Sequence, residues 1–128
     1  GPPGRKVSQV FSFPETLPLH HWALSGAWDI EAEHLVSNAP GAALQLHFNA
    51  GKVFLVLGTR TGKPITATLS LNGKPLGEAS GKEVSQDTVT VSGHNLYHLI
   101  SQTSPRDGLL QITASEAGLE AYAFTFGN

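Results

Sequence analysis

The sequence predicts an all-β fold, an antiparallel two-sheet β-sandwich of the jelly-roll type. Apolar and polar residues alternate with a period of two in most segments, and no segment sustains the apolar stripe of a helix. The 14 glycines and 8 prolines divide the chain into short pieces, as expected for strands joined by tight turns. With 128 residues, the chain has the size of one domain that can bury its own core.

Eight segments are predicted as strands, from alternation or from continuous apolar content. They are residues 7–13, 43–48, 52–58, 65–71, 88–91, 96–100, 109–114 and 119–126. Clean alternation in the second segment places Leu44, Leu46 and Phe48 on the core side. The third segment is a continuous apolar run, so we expect a central strand that is covered on both faces.

Turns are predicted where glycine and asparagine interrupt these segments. Residues 49–51 are expected to reverse the chain between the second and third strands. Asn72 and Gly73 give the strongest hairpin signal, because a type I′ turn requires positive φ at both central positions. Residues 30–36 allow one or two helical turns at most.

Residues 6–128 are predicted to form a single β-sandwich domain. Residues 1–5 are interpreted as a tag remnant or a linker, because Gly1-Pro2 resembles the scar that a protease leaves. No apolar run approaches the roughly 20 residues that span a bilayer, so we expect no membrane insertion by this chain. The net charge of −2 provides no basic patch for nucleic acid.

The six histidines do not predict a metal site. His94 and His98 are four residues apart, which separates them by about 13 Å on an extended segment. One zinc ion requires both nitrogens within about 2.1 Å. His20 and His21 are adjacent, so their side chains diverge on a regular strand. The chain also lacks cysteine, and we expect no metal and no other cofactor.

No catalytic motif is present in the sequence. There is no Gly-x-Ser-x-Gly elbow, and the glycines do not form a phosphate-binding or dinucleotide-binding pattern. Asp29, Glu31 and Glu33 would share one face of a strand, which is more typical of a solvated edge than of paired catalytic carboxylates. A chain without a thiol also lacks the nucleophile of disulfide exchange. We therefore expect that this chain is not an enzyme.

The aromatic residues matter for function, because exposed rings would favour a sugar-binding surface. They differ in whether they alternate together with the aliphatic core residues of a strand. Five of them are in phase with aliphatic neighbours and are expected in the core, namely Phe48, Phe54, Tyr122, Phe124 and Phe126. Trp22, Trp28 and Tyr97 lie at strand or loop boundaries and remain as ligand-binding candidates. The histidines beside them complete the candidate site, namely His20, His21 and His98. The alternative is that these three rings are half-buried and pack against the core.

Six blocks of sequence carry a specific resemblance. They are residues 17–28 (LPLHHWALSGAW), 38–41 (NAPG), 53–58 (VFLVLG), 71–77 (LNGKPLG), 96–100 (LYHLI) and 120–127 (EAYAFTFG). In this order, they resemble the C-terminal domain of DipZ-type thioredoxin-like proteins, a bacterial thiol:disulfide interchange family. The resemblance implies a carbohydrate-binding-module-like β-sandwich that follows a thioredoxin-like domain. The redox residues of the family have no counterpart here.

Two functions follow from the resemblance. The first is a non-catalytic accessory module that binds a carbohydrate or another cell-envelope ligand. The second is a structural or protein-interaction module that packs on the linked thioredoxin-like domain or selects its clients. Either role implies a periplasmic or extracytoplasmic location, attached to a membrane-associated or secreted protein. An exposed ring in a groove would favour the first function, and an apolar patch without a groove would favour the second.

Overall fold

A computed structural model describes residues 7–128, so the interpretation of residues 1–5 lies outside the described residues. This range contains eight strands and one three-residue 3-10 helix. The strands are β1 (Val7–Phe11), β2 (Trp22–Ile30), β3 (Leu35–Ser37), β4 (Ala43–Thr59), β5 (Ile65–Leu71), β6 (Thr88–Val91), β7 (Asn95–Ala114) and β8 (Leu119–Gly127), and the helix is Gly77–Ala79. All strand pairings in this range are antiparallel, which confirms the predicted all-β class.

Four strands close a ring of backbone hydrogen bonds. The first half of β2 pairs with β4, and its second half pairs with β3. β3 continues the ring to β8, and β8 returns it to β4. The full order is β1-β2-β3-β8-β4-β7-β5-β6, so the ring lies within one connected sheet that folds back on itself as a sandwich. We call β2, β3, β8 and β4 the four-strand ring.

β4 is one continuous strand, so the turn predicted at residues 49–51 is wrong. Asn49 and Ala50 remain paired, opposite Asp107 and Arg106 of β7. The irregularity in this region is a register shift immediately after Ala50. A Cβ on Gly51 would lie 2.9 Å from the backbone carbon of Asn128, so this glycine permits a close approach of two backbones. β7 likewise joins two segments that were predicted as separate strands.

Several local predictions are confirmed. β5 and β6 have the predicted bounds, Ile65–Leu71 and Thr88–Val91. Asn72 has φ 54° and Gly73 has φ 77°, the two positive values that a type I′ turn requires. Residues 30–36 form the end of β2, a short loop and the start of β3 instead of helical turns. The sequence was sufficient to predict β5, β6 and the Asn72-Gly73 turn, because each depends on residues that are neighbours along the chain.

The core is formed by the inward faces of the strands. Leu44, Leu46 and Phe48 are buried on β4, as their alternation predicted. Trp28 is only 1% exposed, and its indole Nε1 donates a hydrogen bond to the backbone oxygen of Ser25 over 3.0 Å. Trp28 is therefore a core residue and offers no ring face to a ligand, contrary to the expectation from its boundary position.

Tyr97 is also a core residue. Its side chain is 7% exposed, and its hydroxyl donates to the backbone oxygen of Gly93 over 3.0 Å. The same hydroxyl accepts from the backbone N–H of Ser92. The ring is buried because β7 alternates in register with β4, where Tyr97 is paired with Leu55 on the inward face. Like Trp28, it is removed from the candidate binding site.

A bulge in β8 overturns the predicted face of its aromatic residues. Phe124 is paired with Leu55, and Ala121 is paired with Leu57, so Tyr122 and Ala123 both lie opposite one residue of β4. The extra residue breaks the alternation that had placed Tyr122 on the same core face as Phe124. Both side chains are only partly buried. Phe126, also expected in the core, is 44% exposed, and Phe54 is partly buried on the outer face of β4.

We expect Trp28→Ala to lower the free energy of unfolding by about 3–5 kcal/mol, because truncation leaves a cavity at a fully packed position. Urea denaturation followed by circular dichroism measures this loss. Leu96→Ala is the control, since Leu96 is 52% exposed. This control should change stability by about 0.5 kcal/mol or less. A loss below about 1 kcal/mol for Trp28→Ala would contradict the buried placement.

Candidate ligand-binding site

An open cavity of about 350 Å³ enters the four-strand ring. We call this cavity the groove. It is lined by Trp22, Ile30, Glu31, Glu33, His34, Leu35, Leu44, Leu55, Ala121, Tyr122, Ala123 and Phe124. Every strand of the ring contributes to the lining, together with the loop that joins β2 to β3. The volume is at the lower end of the range for small-molecule sites, about 300–1,000 Å³.

The groove combines a buried aliphatic floor with accessible aromatic rings. Leu44 and Leu55 are buried on the inward face of β4 and form part of the lining. Trp22 borders the same cavity and is 50% exposed. Phe124 is partly buried and packs against the core. Apolar ring surface that remains accessible inside a concave site is the property expected of a ligand contact.

The segment before Trp22 is hydrogen-bonded to the backbone of β4 at His47. The backbone N–H of His20 donates to the oxygen of His47 over 2.8 Å, and the N–H of His47 donates to the oxygen of His21 over 3.0 Å. These bonds continue the pairing of β2 with β4, in which Trp22 is opposite Leu46. The start of β2, and with it the indole, is therefore held by main-chain hydrogen bonds.

The His47 side chain adds a second connection to the same segment. Its Nδ1 lies 2.6 Å from the backbone oxygen of Leu17, and its Nε2 lies 2.8 Å from Asp107 Oδ2. A neutral imidazole can donate to only one of these acceptors, whereas the protonated ring donates to both. The hydrogen bond to Asp107, followed by that to Leu17, raises the pKa of His47 above its ordinary value of 6.5.

A compact set of paired charges adjoins one wall of the groove and includes two of its lining residues, Glu31 and His34. A guanidinium nitrogen of Arg60 is bonded to Glu31 Oε2, and Arg60 Nε lies 3.8 Å from Glu120 Oε2. His34 Nε2 is 3.2 Å from the same Glu120 oxygen, although without hydrogen-bond geometry. Gly58 makes room for this carboxylate, because a Cβ there would lie 3.1 Å from Glu120 Oε1. The half-buried carboxylates are thus compensated by Arg60.

Tyr122 is held between two imidazole rings. Its centroid is 4.6 Å from that of His34 and 4.3 Å from that of His94, with interplanar angles of 18° and 14°. Burial raises the pKa of the Tyr122 phenol, and the Glu120 carboxylate raises it further. The hydroxyl is therefore protonated at neutral pH and lies 3.4 Å from Glu120 Oε1, to which it donates. The stack fixes the ring as part of the groove wall.

The structure separates the six residues of the predicted site. Trp22 lies in the groove, and His20 and His21 precede it along the chain without belonging to the lining. His98 lies elsewhere, on the outer face of the sheet, where its ring stacks on Phe54 at 4.4 Å and its Nε2 is 2.9 Å from the oxygen of Ile100. Trp28 and Tyr97 are in the core. The sequence prediction thus identified one lining residue of the groove.

The other eleven lining residues were not predicted as ligand contacts, and four of them offer ring faces or carboxylates. Tyr122 and Phe124 had been assigned to the core, because nothing in the sequence marked the bulge in β8. Glu31 and Glu33 had been interpreted as a solvated edge, and the structure places both in the lining of the groove. Their proximity to Trp22 arises only when β2, β3 and β8 meet. One signal in the sequence could have found them. Tyr122 and Phe124 lie within the resembling block 120–127, and Glu31 and Glu33 lie between the blocks 17–28 and 38–41.

Residues 7–128 contain no group of three or more His, Cys, Asp or Glu side chains arranged to hold a metal ion. In the same part of the chain, no helix has the length and apolar character needed to cross a bilayer. The contacts available in the groove are therefore ring faces, aliphatic surface, carboxylate oxygens and an imidazole.

Comparison with known proteins gives three findings. A family model described as "Thioredoxin like C-terminal domain" matches residues 2–127. Proteins named DipZ from Mycobacterium bovis and Mycobacterium tuberculosis are each 30% identical over 127 residues, which cover 94% of this chain and 15% of the relative. The chain therefore spans a small part of these relatives.

The third finding concerns a solved structure. A family two carbohydrate esterase from Cellvibrio japonicus superposes with a TM-score of 0.66 at 12% identity. The superposition covers 98% of this chain and 34% of the esterase chain. At this low identity, the likeness shows a shared fold and supports the predicted sandwich.

The pair that protonated His47 forms with Asp107 predicts that the stability of the folded chain depends on pH. Because its folded pKa is raised, the pair contributes stability that is fully present below about pH 6.5 and is lost as pH rises through the folded pKa. His47→Gln removes the titrating group. The melting temperature of the wild type relative to this variant should therefore fall as the pH rises from about 6.5 through the raised pKa of His47. A difference that is constant across this range would contradict the assignment.

Proposed function

Since this chain belongs to the family of thioredoxin-like C-terminal domains, we propose that it is a non-catalytic accessory module that binds a carbohydrate in the groove. The observation that supports this proposal is the exposed indole of Trp22 within a cavity that also holds Phe124 and hydrogen-bonding side chains. The family membership confirms the resemblance drawn from the six sequence blocks. Family membership does not identify a ligand, so the ligand class is inferred from the lining of the groove.

The groove has the two kinds of surface that a sugar ring requires. A pyranose presents C–H groups on its faces, which pack against the apolar face of an indole or phenyl ring. Its hydroxyl groups extend from the edge of the ring and can donate to carboxylate oxygens. Trp22 and Phe124 supply the first kind of surface, and Glu31 and Glu33 supply the second.

The chemistry of the site favours binding over catalysis. The sequence contains no cysteine, so the thiol–disulfide reaction of a thioredoxin-like partner would be carried out by another domain. Glu31 is bonded to Arg60, and Glu120 lies between Arg60 and His34, so both carboxylates are engaged by side chains of the protein instead of forming a free pair across a ligand.

We further propose that the module is joined to a thioredoxin-like domain in a periplasmic or extracytoplasmic protein. This proposal is supported by the family description and by the small fraction of the DipZ relatives that the chain covers. Binding to a cell-envelope glycan would keep the linked domain close to its clients by raising their effective concentration.

A second candidate function is supported by the exposed edge of the sheet. β1 pairs with β2 along one side, and it carries Val7 and Val10, which are 52% and 76% exposed. Exposed aliphatic residues on an edge strand are suited to packing against another domain. This surface is compatible with docking of the linked thioredoxin-like domain. It offers no enclosed site for a small ligand, so we assign ligand binding to the groove.

Trp22→Ala should abolish carbohydrate binding while leaving the melting temperature almost unchanged, because the indole is half exposed. A glycan array with the whole chain identifies a ligand, and affinity electrophoresis or calorimetry then measures its binding. Sites of this kind have millimolar to micromolar dissociation constants, or about 4–8 kcal/mol. Phe126→Ala is the matched control, since Phe126 is an exposed aromatic outside the groove lining. Undiminished binding by Trp22→Ala would refute this assignment of the site.

A further inference from the structure

We infer that the groove selects saccharides that carry a free amino group over those that carry a carboxylate, with Glu33 as the residue that determines this preference. The inference rests on the proposed function, because it names the class of carbohydrate that the same groove would take.

The charged lining of the groove is acidic. Glu31 and Glu33 are the two carboxylic acids among its lining residues, and no lysine or arginine lines it in the described part of the chain. Arg60 lies behind this lining and is already bonded to Glu31, with Glu120 nearby. Among residues 7–128, no lysine or arginine is therefore left in the groove to receive the carboxylate of an acidic sugar.

His34 does not supply that missing cation. Its ring is stacked on Tyr122, and its Nε2 is buried 3.2 Å from Glu120 Oε2 and 3.8 Å from Glu31 Oε1. This nitrogen is therefore buried against carboxylates of the protein and is not accessible to a ligand. The charged side chains that remain accessible to a ligand in the described lining are therefore carboxylates.

Glu33 differs from the other carboxylates of this wall. It is exposed, and no hydrogen bond or ion pair joins it to another described residue. It borders the groove and also a smaller depression of about 210 Å³, formed by the same loop with Glu31, Ala32 and His34. A saccharide stacked on Trp22 would therefore have an unpaired carboxylate beside it, on the loop between β2 and β3.

An ammonium group is the ligand chemistry that such a carboxylate recognises. It can donate up to three hydrogen bonds and is attracted by the charge, whereas an acetylated amine retains one N–H and no charge. A uronic acid would be repelled by Glu33 and Glu31 together. Because Glu33 is solvent-exposed, the preference should be modest, about three- to fivefold. It should also weaken as salt shortens the range of the attraction.

The test uses three trimers that differ in charge: glucosamine, N-acetylglucosamine and galacturonic acid. Their dissociation constants are measured by calorimetry with the whole chain at low ionic strength and about pH 6, where amines are charged and carboxylates are ionised. The same measurements are made on Glu33→Gln and on Glu78→Gln. Glu78 is an exposed acid on the 3-10 helix outside the groove lining, so it is the matched control.

The inference predicts that glucosamine trimer binds about three- to fivefold more tightly than the acetylated trimer, and galacturonic acid trimer least tightly. Glu33→Gln and about 0.5 M salt should each remove the preference, and Glu78→Gln should preserve it. Equal binding of the amine and acetylated trimers, or a preference that survives in Glu33→Gln, would overturn the inference and leave the proposed function standing. Failure of all three trimers, together with an empty glycan array, would overturn both.

Discussion

The arrangement of the groove depends on one constraint, which is that β2 and β8 share a single edge of β4. β7 is hydrogen-bonded along the other edge of β4 for most of its length. β2 therefore pairs with the first part of the free edge, residues 43–46, and β8 pairs with its second part, from residue 52 to 59. The two strands diverge from this edge and are joined again by β3. The groove is the space that this divergence leaves above Leu44 and Leu55.

The same constraint determines the chemistry of the walls. Because β3 follows β2 and pairs with β8, the connecting loop brings His34 against Glu120 and Tyr122. The charges that meet there are compensated by Arg60, so the wall can be half-buried without an unpaired ion. Stacking of Tyr122 between two imidazoles then restricts its ring. A wall that is ordered before binding loses less conformational entropy when a ligand is bound.

The sequence was sufficient to predict features that depend on neighbouring residues. Alternation identified Leu44, Leu46 and Phe48 as core residues, and Asn72-Gly73 identified the hairpin turn. Features that depend on a partner strand were not predictable in this way. The bulge at Tyr122 is visible only in the register of β8 against β4. Gly51 has the sequence context of a turn, but its role is to permit the close approach of another backbone segment.

In the candidate site too, some residues could be predicted from their sequence neighbours, and others only from the strands that pair in the fold. Trp22 was found because its boundary position excluded it from the alternating core, and it is exposed at the start of β2. Trp28 has a similar sequence context but is buried, because it lies within β2 between Gln9 of β1 and Ser37 of β3, whereas Trp22 is the first residue of the strand. Glu31 and Glu33 come to line the same cavity as Trp22 only through the closure of the four-strand ring.

Chemical-shift mapping tests the central claim most directly, because it locates binding on the intact chain without a substitution. Amide and indole NMR signals would be followed while an oligosaccharide selected on a glycan array is added. Binding in the groove should perturb the Trp22 indole together with residues 31–35 and 121–124. Saturable shifts confined to the exposed edge of β1 or to the outer sheet face around Phe54 and His98, with none in the groove, would contradict the account.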